Sequence, residues 1–190
     1  MEMLKKMILE KGKVSNSALL KVDSFLNHQI DPNLMYEMGE EFKRIFGDLG
    51  VNKVLTIEAS GIAIGVTTAH AFQVPLVFAK KNKPSTMEDS YNTVVRSFTK
   101  NKDYNITVSK EFLNKGDKVL VVDDFLAMGN AILGLKSIVE EAGAEVVGVG
   151  IAVEKGFQEG AKILREAGIN LHSLAIIDSL ENNTITLRDE

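Results

Sequence analysis

One stretch constrains this chain more than any other: VLVVDDFLAMGNA, residues 119–131. Four β-leaning apolar residues, Val119 to Val122, run into two carboxylates, Asp123 and Asp124. Ala127, Gly129 and Ala131 follow, and Ile132, Leu135, Ile138 and Val139 then recur at helical spacing. A short continuous apolar run fits a strand buried on both faces of a parallel sheet. The pattern therefore predicts a buried strand, a tight acidic loop and a helix N-terminus. In open α/β sheets, ligands bind in the crevice beyond the carboxyl ends of the strands. A helix N-terminus approached through small residues offers free N–H groups to a phosphate. Anion donors and two acidic acceptors thus stand side by side.

The rest of the chain repeats this alternation. An amphipathic helix is expected up to about Gly12, and Asp31-Pro32 marks a second helix start, with Asp at the N-cap and Pro at N1. Lys53 to Ile57 reads as a strand, Glu58-Ala-Ser-Gly61 as its turn and Ile62 to Phe72 as a helix. Val74 to Phe78 is the next strand, followed by Lys80, Lys81 and Lys83. Tyr91 to Phe98 and Tyr104 to Val108 suit an antiparallel pair. Glu145 to Val153 is another apolar strand, ending at Glu154-Lys155, and a short helix from Gln158 closes at Gly168. Ile169 to Ile177 and Thr184 to Leu187 are late strands. Repeated strand–helix alternation implies an α/β fold with a doubly wound, mostly parallel sheet flanked by helices. We expect a single domain over 1–190, with a small hood built from about residues 1–30 and the C-terminal segment 154–190.

Composition excludes several classes. The 190 residues contain no cysteine, so disulfides and thiolate chemistry are out. A net charge of −4 gives no bulk attraction to nucleic acid. The opening MEMLKKMILEKGK lacks a signal-peptide core, and no window approaches the about 18 apolar residues that a membrane span needs. We expect a soluble cytoplasmic protein.

Each candidate piece also has a plainer explanation. Asp123-Asp124 could be sheet-edge or helix-capping acids, and Glu58 to Gly61 an ordinary turn. Lys80, Lys81 and Lys83 could be solvated, and Glu154-Lys155 a solvated strand end. His28, His70 and His172 show no ligand spacing. No G-x-x-x-x-G-K-[ST] or G-x-S-x-G motif occurs, and Gly148-Val-Gly150 lacks the third glycine of a dinucleotide fingerprint. Yet all four pieces follow strands and so share one sheet edge. Several anion-friendly elements there suit a ligand with two separated phosphate groups.

VLVVDDFLAMGNA resembles the phosphoribosyl-diphosphate signature of type I phosphoribosyltransferases, and IEASGIA resembles their diphosphate loop. LLKVDSFLNHQIDPNLM is similar to the hood of the purine-using members, and the likeness to the xanthine-using branch extends through IVEEAGAEVVGVGIAVEKGFQ. Many members carry Thr where this chain has Met128 and Ala131; the xanthine branch also lacks them.

The resemblance implies attack of a purine nitrogen on C1 of phosphoribosyl diphosphate. Asp123 and Asp124 would be the catalytic acids, holding the ribose hydroxyls. Ala127, Met128, Gly129, Asn130 and Ala131 would cradle the 5′-phosphate. Ala59, Ser60 and Gly61 with Lys80 and Lys81 would take the diphosphate and its Mg²⁺, an ion carried by the substrate without an all-protein cage. Pro84 to Ser109 would form a lid. Leu20, Asn27 and Lys155 would bind the purine: a lysine only donates, which suits a 6-oxo group and opposes the 6-amino group of adenine. Xanthine is the expected base, with adenine or guanine/hypoxanthine as alternatives. A non-catalytic phosphoribosyl-diphosphate sensor is the alternative of another class, although no helix-turn-helix or basic face accompanies it. An interaction protein with a degenerate site is a further one. Expected partners are the small-molecule substrates and a second copy of the chain, without nucleic acid or membrane.

Overall fold

The computed structural model describes residues 1–15, 19–82, 87–97 and 102–189. Helix α1 (Glu2–Lys11) leads to a small antiparallel hairpin, β1 (Lys13–Ser15) and β2 (Leu19–Lys21), and a single wide turn over Asp23–Asn27. Helix α2 (Pro32–Phe46) begins where the sequence indicated. The Asp31 carboxylate accepts from the N–H groups of Asn33 and Leu34 at 3.0 and 3.1 Å, satisfying two donors that a helix start leaves free.

The central sheet then forms. Strand β3 (Lys53–Ile57), helix α3 (Gly61–Phe72) and strand β4 (Leu76–Ala79) make one parallel unit. After the β5 (Ser90–Ser97) and β6 (Lys102–Ser109) hairpin come β7 (Lys118–Leu126), α4 (Asn130–Glu141), β8 (Glu145–Lys155) and α5 (Gly160–Glu166). Strands β9 (Leu171–Ser179) and β10 (Thr186–Leu187) end the chain. The six-stranded order is β10-β9-β8-β7-β3-β4, with only β10 antiparallel to its neighbour. This is the expected doubly wound, mostly parallel α/β architecture.

Alternation along β7 divides the core in two. Leu120 and Val122 pack with Leu4, Met38 and Phe42 from α1 and α2. Val119 and Val121 pack with Ile132 and Leu135 of α4 and with Leu164 of α5. All four valine and leucine residues are fully buried, which is why the run carries no polar alternation.

Several boundaries differ from the sequence expectation. Asp123 and Asp124 do not sit in a loop: β7 continues through them to Leu126, and Asp123, Phe125 and Leu126 pair with Ile151, Val153 and Glu154 of β8. Residues 154–190, expected in the hood, instead supply β9 and β10 to the central sheet. The β5–β6 hairpin, expected as a lid, is anchored: Val95, Ile106 and Val108 are buried in the core around α4, and Lys80 and Thr107 exchange backbone hydrogen bonds at 2.9 Å. Residues 98–101, Lys83 and Pro84, also part of those expectations, lie outside the described residues. β4 begins at Leu76, beyond Pro75, whose missing N–H cannot join a ladder.

Gly148 and Gly150 have a structural use unrelated to dinucleotides. A Cβ at these positions would lie 2.7 Å from the Phe46 ring and 2.8 Å from the Phe42 ring, so bare backbone lets α2 settle on β8. Gly150→Val should therefore overpack this contact and cost about 1–3 kcal/mol, seen as a lower urea midpoint at unchanged slope. A wild-type midpoint would contradict the packing described.

Candidate active site

Parallel strands end on one edge, and the helices that follow β3 and β7 leave for opposite faces of the sheet. A crevice opens between such strands because no helix covers their junction. The turn after β3, the strand end of β7 and the loop before α4 meet there.

Asp123 and Asp124 are 7% and 8% exposed. The Asp124 backbone N–H donates to Asp123 Oδ1 at 3.0 Å. Burial, and then the Asp124 carboxylate beside it, hold the Asp123 carboxyl well above the usual carboxylate range; Lys81 acts in the opposite direction. The Tyr104 hydroxyl is also pushed up, by burial and by the Asp123 charge, which places β6 against the same acid. From the hood, Asn27 Nδ2 approaches Asp124 Oδ2 at 3.5 Å across 97 residues of sequence.

The loop Ala127 to Ala131 lies in one cavity of about 140 Å³ with Asp123, Arg96 and Tyr104. Gly129 adopts φ +81°, the left-handed conformation that turns the chain into α4. Among the described residues, no backbone N–H from Met128 to Ile132 has an acceptor, so this rim presents a set of free donors. Beneath it, the Gly160 N–H donates to the Ala127 carbonyl at 3.1 Å. A Cβ on Gly160 would come within 2.2 Å of that oxygen, so the start of α5 buttresses the loop. The Asn130 side chain is engaged by the hairpin, donating to the Arg96 carbonyl at 3.1 Å.

The turn after β3 reaches the same place. A Cβ on Gly61 would lie 3.0 Å from Asp123 Oδ1 and 2.1 Å from Thr56 Oγ1. The Glu58–Ala59 peptide is cis, and Glu58 Oε1 accepts from the Lys81 backbone N–H at 2.7 Å, tying this turn to the chain after β4. Ser60 stands at the N-cap of α3 without a capping bond from its side chain.

The lysine pair divides. Lys81 Nζ stands over the Tyr104 ring, 5.7 Å from its centroid, on the acid side. Lys80 Nζ lies over Phe78, 5.7 Å from its centroid, in a separate cavity along the edge strand β4. Consecutive residues in extended chain point to opposite faces. Only Lys81 therefore joins Asp123, and the assignment of Lys80 to the diphosphate is not supported by this geometry.

The residues expected to bind the base are placed as follows. Lys155 ends β8 one residue beyond the Glu154–Leu126 pair; it is half-buried, and burial lowers the pKa of its ammonium. Among the described residues, that ammonium has no hydrogen-bond or ion-pair partner. Its neighbour Glu154 turns inward, accepting from Ser173 Oγ at 2.7 Å and facing Arg165 at 3.5 Å. Leu20 is buried within the apolar cluster of the N-terminal segments, where it braces the hood.

Thr56, Arg96, Tyr104 and Gln158 were not singled out from the sequence. Two buried side-chain atoms lack a partner among the described residues, and both sit at this edge: Thr56 Oγ1 and Gln158 Oε1. The Gln158 N–H donates to the Lys155 carbonyl at 2.9 Å, so its acceptor rides on the turn that carries the lysine. A buried orphan calls for an explanation that sequence spacing does not flag.

Residues 31–165 match the model of the phosphoribosyl transferase domain. A xanthine phosphoribosyltransferase of Clostridium novyi is 54% identical over the whole of both chains. One from Staphylococcus haemolyticus is 53% identical, covering all of this chain and 99% of its own. In fold, the chain is similar to adenine phosphoribosyltransferase of Rhodothermus marinus, with TM-score 0.76 and 23% identity over 93% of this chain and 97% of that one. It is also similar to the Saccharomyces cerevisiae enzyme, with TM-score 0.74 and 17% identity over 91% and 98%. At those identities, the likeness speaks for the fold alone.

The raised Asp123 carboxyl has a consequence for stability. A group that holds its proton more tightly when folded makes stability fall as pH rises from the ordinary carboxylate range towards the folded value. Asp123→Asn removes that loss. The variant should gain stability over wild type at pH 8 and lose most of that advantage near pH 4, in urea unfolding at both values. An advantage equal at the two pH values would contradict the electrostatic cause.

Proposed function

The chain belongs to the phosphoribosyl transferase family, and on that premise we propose that it transfers the 5-phosphoribosyl group of phosphoribosyl diphosphate to xanthine. The products are xanthosine 5′-monophosphate and diphosphate, and the role is purine salvage. One observation carries this: Asp123 shares a cavity with the unpartnered N–H groups before α4, while Gly61 of the turn after β3 closes on the same carboxylate. A sugar with a phosphate at each end needs acceptors in the middle and donors on both flanks.

The bond from a purine nitrogen to C1 forms as the C1–O bond to diphosphate breaks. Positive charge develops on the ribose in between, as in other glycosyl transfers. Asp123 and Asp124 are mutually repulsive and poorly hydrated, so a ribose ring that turns cationic in the transition state relieves them more than the uncharged ring of the ground state does. The N–H groups from Met128 to Ile132 receive the 5′-phosphate; loss of threonines at Met128 and Ala131 leaves this to the backbone and Asn130. Ala59, Ser60, Gly61 and Lys81 flank the departing diphosphate. Mg²⁺ would arrive with the diphosphate as part of the substrate and would neutralise charge on the leaving group. Among the described residues no three His, Cys, Asp or Glu side chains cluster as a cage.

Lys155 supports the choice of base. It offers donors only, and its half-burial penalises the ammonium until an anion arrives. Xanthine, the most acidic of the common purines, supplies both the 6-oxo acceptor and that charge. Asn27, already beside Asp124, can read the opposite 2-oxo edge, and Leu20 backs the hood above it. No described helix is long and apolar enough to cross a membrane; a cytoplasmic homodimer completes the proposal.

Turnover of xanthine, guanine, hypoxanthine and adenine with phosphoribosyl diphosphate and Mg²⁺ tests it. Xanthine should give the highest kcat/KM; a preference for adenine would overturn the role of Lys155. Changing Asp123 and Asp124 together to Asn should lower kcat by about 10²-fold or more while circular dichroism stays native. Lys155→Gln should raise KM for xanthine about tenfold or more, as expected when one hydrogen bond to a charged group is lost, and leave KM for phosphoribosyl diphosphate unchanged.

A further inference from the structure

Thr56 lies in the interior of β3, wholly buried, and its Oγ1 has no partner among the described residues. A buried hydroxyl left unpaired destabilises a fold, and valine would fill the same shape without that cost. The hydroxyl points at a defined place. Thr56 Oγ1 and Asp123 Oδ1 both border the small space above Gly61, 2.1 and 3.0 Å from where a Cβ on that residue would sit. Glycine keeps this space free of a side chain, so the hydroxyl and the carboxylate share its border. One Asp123 oxygen already accepts from the Asp124 N–H, and a carboxylate has further lone pairs to offer.

We propose that Thr56 is a positioning residue for Asp123: its hydroxyl donates to the ionised carboxylate and holds that acid in place towards the ribose. The proposal rests on the phosphoribosyl-transfer assignment for its purpose, but the Thr56–Asp123 pair can be tested apart from it. The pair forms when Asp123 loses its proton. Asp124 on β7 opposes that ionisation, Lys81 after β4 favours it, and Tyr104 on β6 faces the same charge. A donor to the charged form of a carboxylate favours that form, so Thr56 adds to Lys81 in offsetting the burial of Asp123.

The test uses Thr56→Val, which keeps shape and removes the hydroxyl, and Thr56→Ser, which restores it. With xanthine as substrate, Thr56→Val should move the acidic limb of the kcat profile upward by about one pH unit. At a fixed pH on that limb kcat should fall about tenfold, with KM for xanthine unchanged. Thr56→Ser should return the limb towards wild type. The thermal midpoint of Thr56→Val should equal or exceed wild type at acid pH, because an orphan is removed. A limb that stays in place in Thr56→Val, or a Ser variant no better than Val, would overturn the proposal.

A second measurement needs no turnover. In urea unfolding, Thr56→Val should lose stability relative to wild type as pH rises, and the same substitution in an Asp123→Asn background should show no such pH dependence. If wild-type protein fails to convert xanthine, phosphoribosyl transfer to that base is wrong while the unfolding result still judges the pair. If the pH dependence survives in the Asp123→Asn background, the pair is wrong whatever the enzyme's substrate.

Discussion

Two carboxylates on consecutive residues of a buried strand are the constraint around which this protein is arranged. Neither is free to move to water, because β7 keeps its ladder with β8 through both of them and on to Leu126. Consecutive strand residues face opposite ways, so one backbone segment presents an acid to each side of the crevice. Asp123 meets the turn after β3 and the β6 tyrosine, while Asp124 meets Asn27 of the hood. A flexible acidic loop could relax its charge into solvent; a strand end cannot. The repulsion is therefore held in the folded state, ready to be relieved by positive charge.

The surrounding elements serve to keep that arrangement rigid. Phe42 and Phe46 seat α2 on the bare backbone of Gly148 and Gly150, which fixes β8 against β7. Gly160 presses the start of α5 against Ala127, linking the segment that begins at Lys155 to the loop before α4. The two flanks of the crevice thus share a mechanical contact. The hairpin expected as a mobile cover is built into the core by Val95 and Ile106, so its described part acts as a wall.

Much of the fold was legible from local patterns. The Asp31 cap, the β3–turn–α3 unit, the apolar run of β7 and the glycine after α5 each announce themselves through a few adjacent residues and the physics of helix ends and buried strands. That the acid pair, the loop before α4 and Lys155 fall on one edge was legible for the same reason: each follows or ends a strand, and parallel strands end together. Besides the hairpin, three expectations missed. The acids were placed in a loop because charge normally ends a buried strand, yet the crevice tolerates it. The late strands were assigned to a hood, whereas pairing with β8, a long-range contact, puts them in the central sheet. Lys80 was grouped with Lys81 because spacing along the sequence does not reveal facing.

The sequence by itself determined the elements, their order and the edge on which the chemistry-bearing residues fall, because periods of two and 3.6 residues and the chemistry of turns are local properties. Only the tertiary structure decided which of those residues meet. Asn27 reaches Asp124, Gly61 closes on Asp123, and Lys80 faces away, through register and helix packing between segments far apart in the chain. Such contacts depend on how the whole sheet pairs and which face each helix takes, and no short window of residues carries that information.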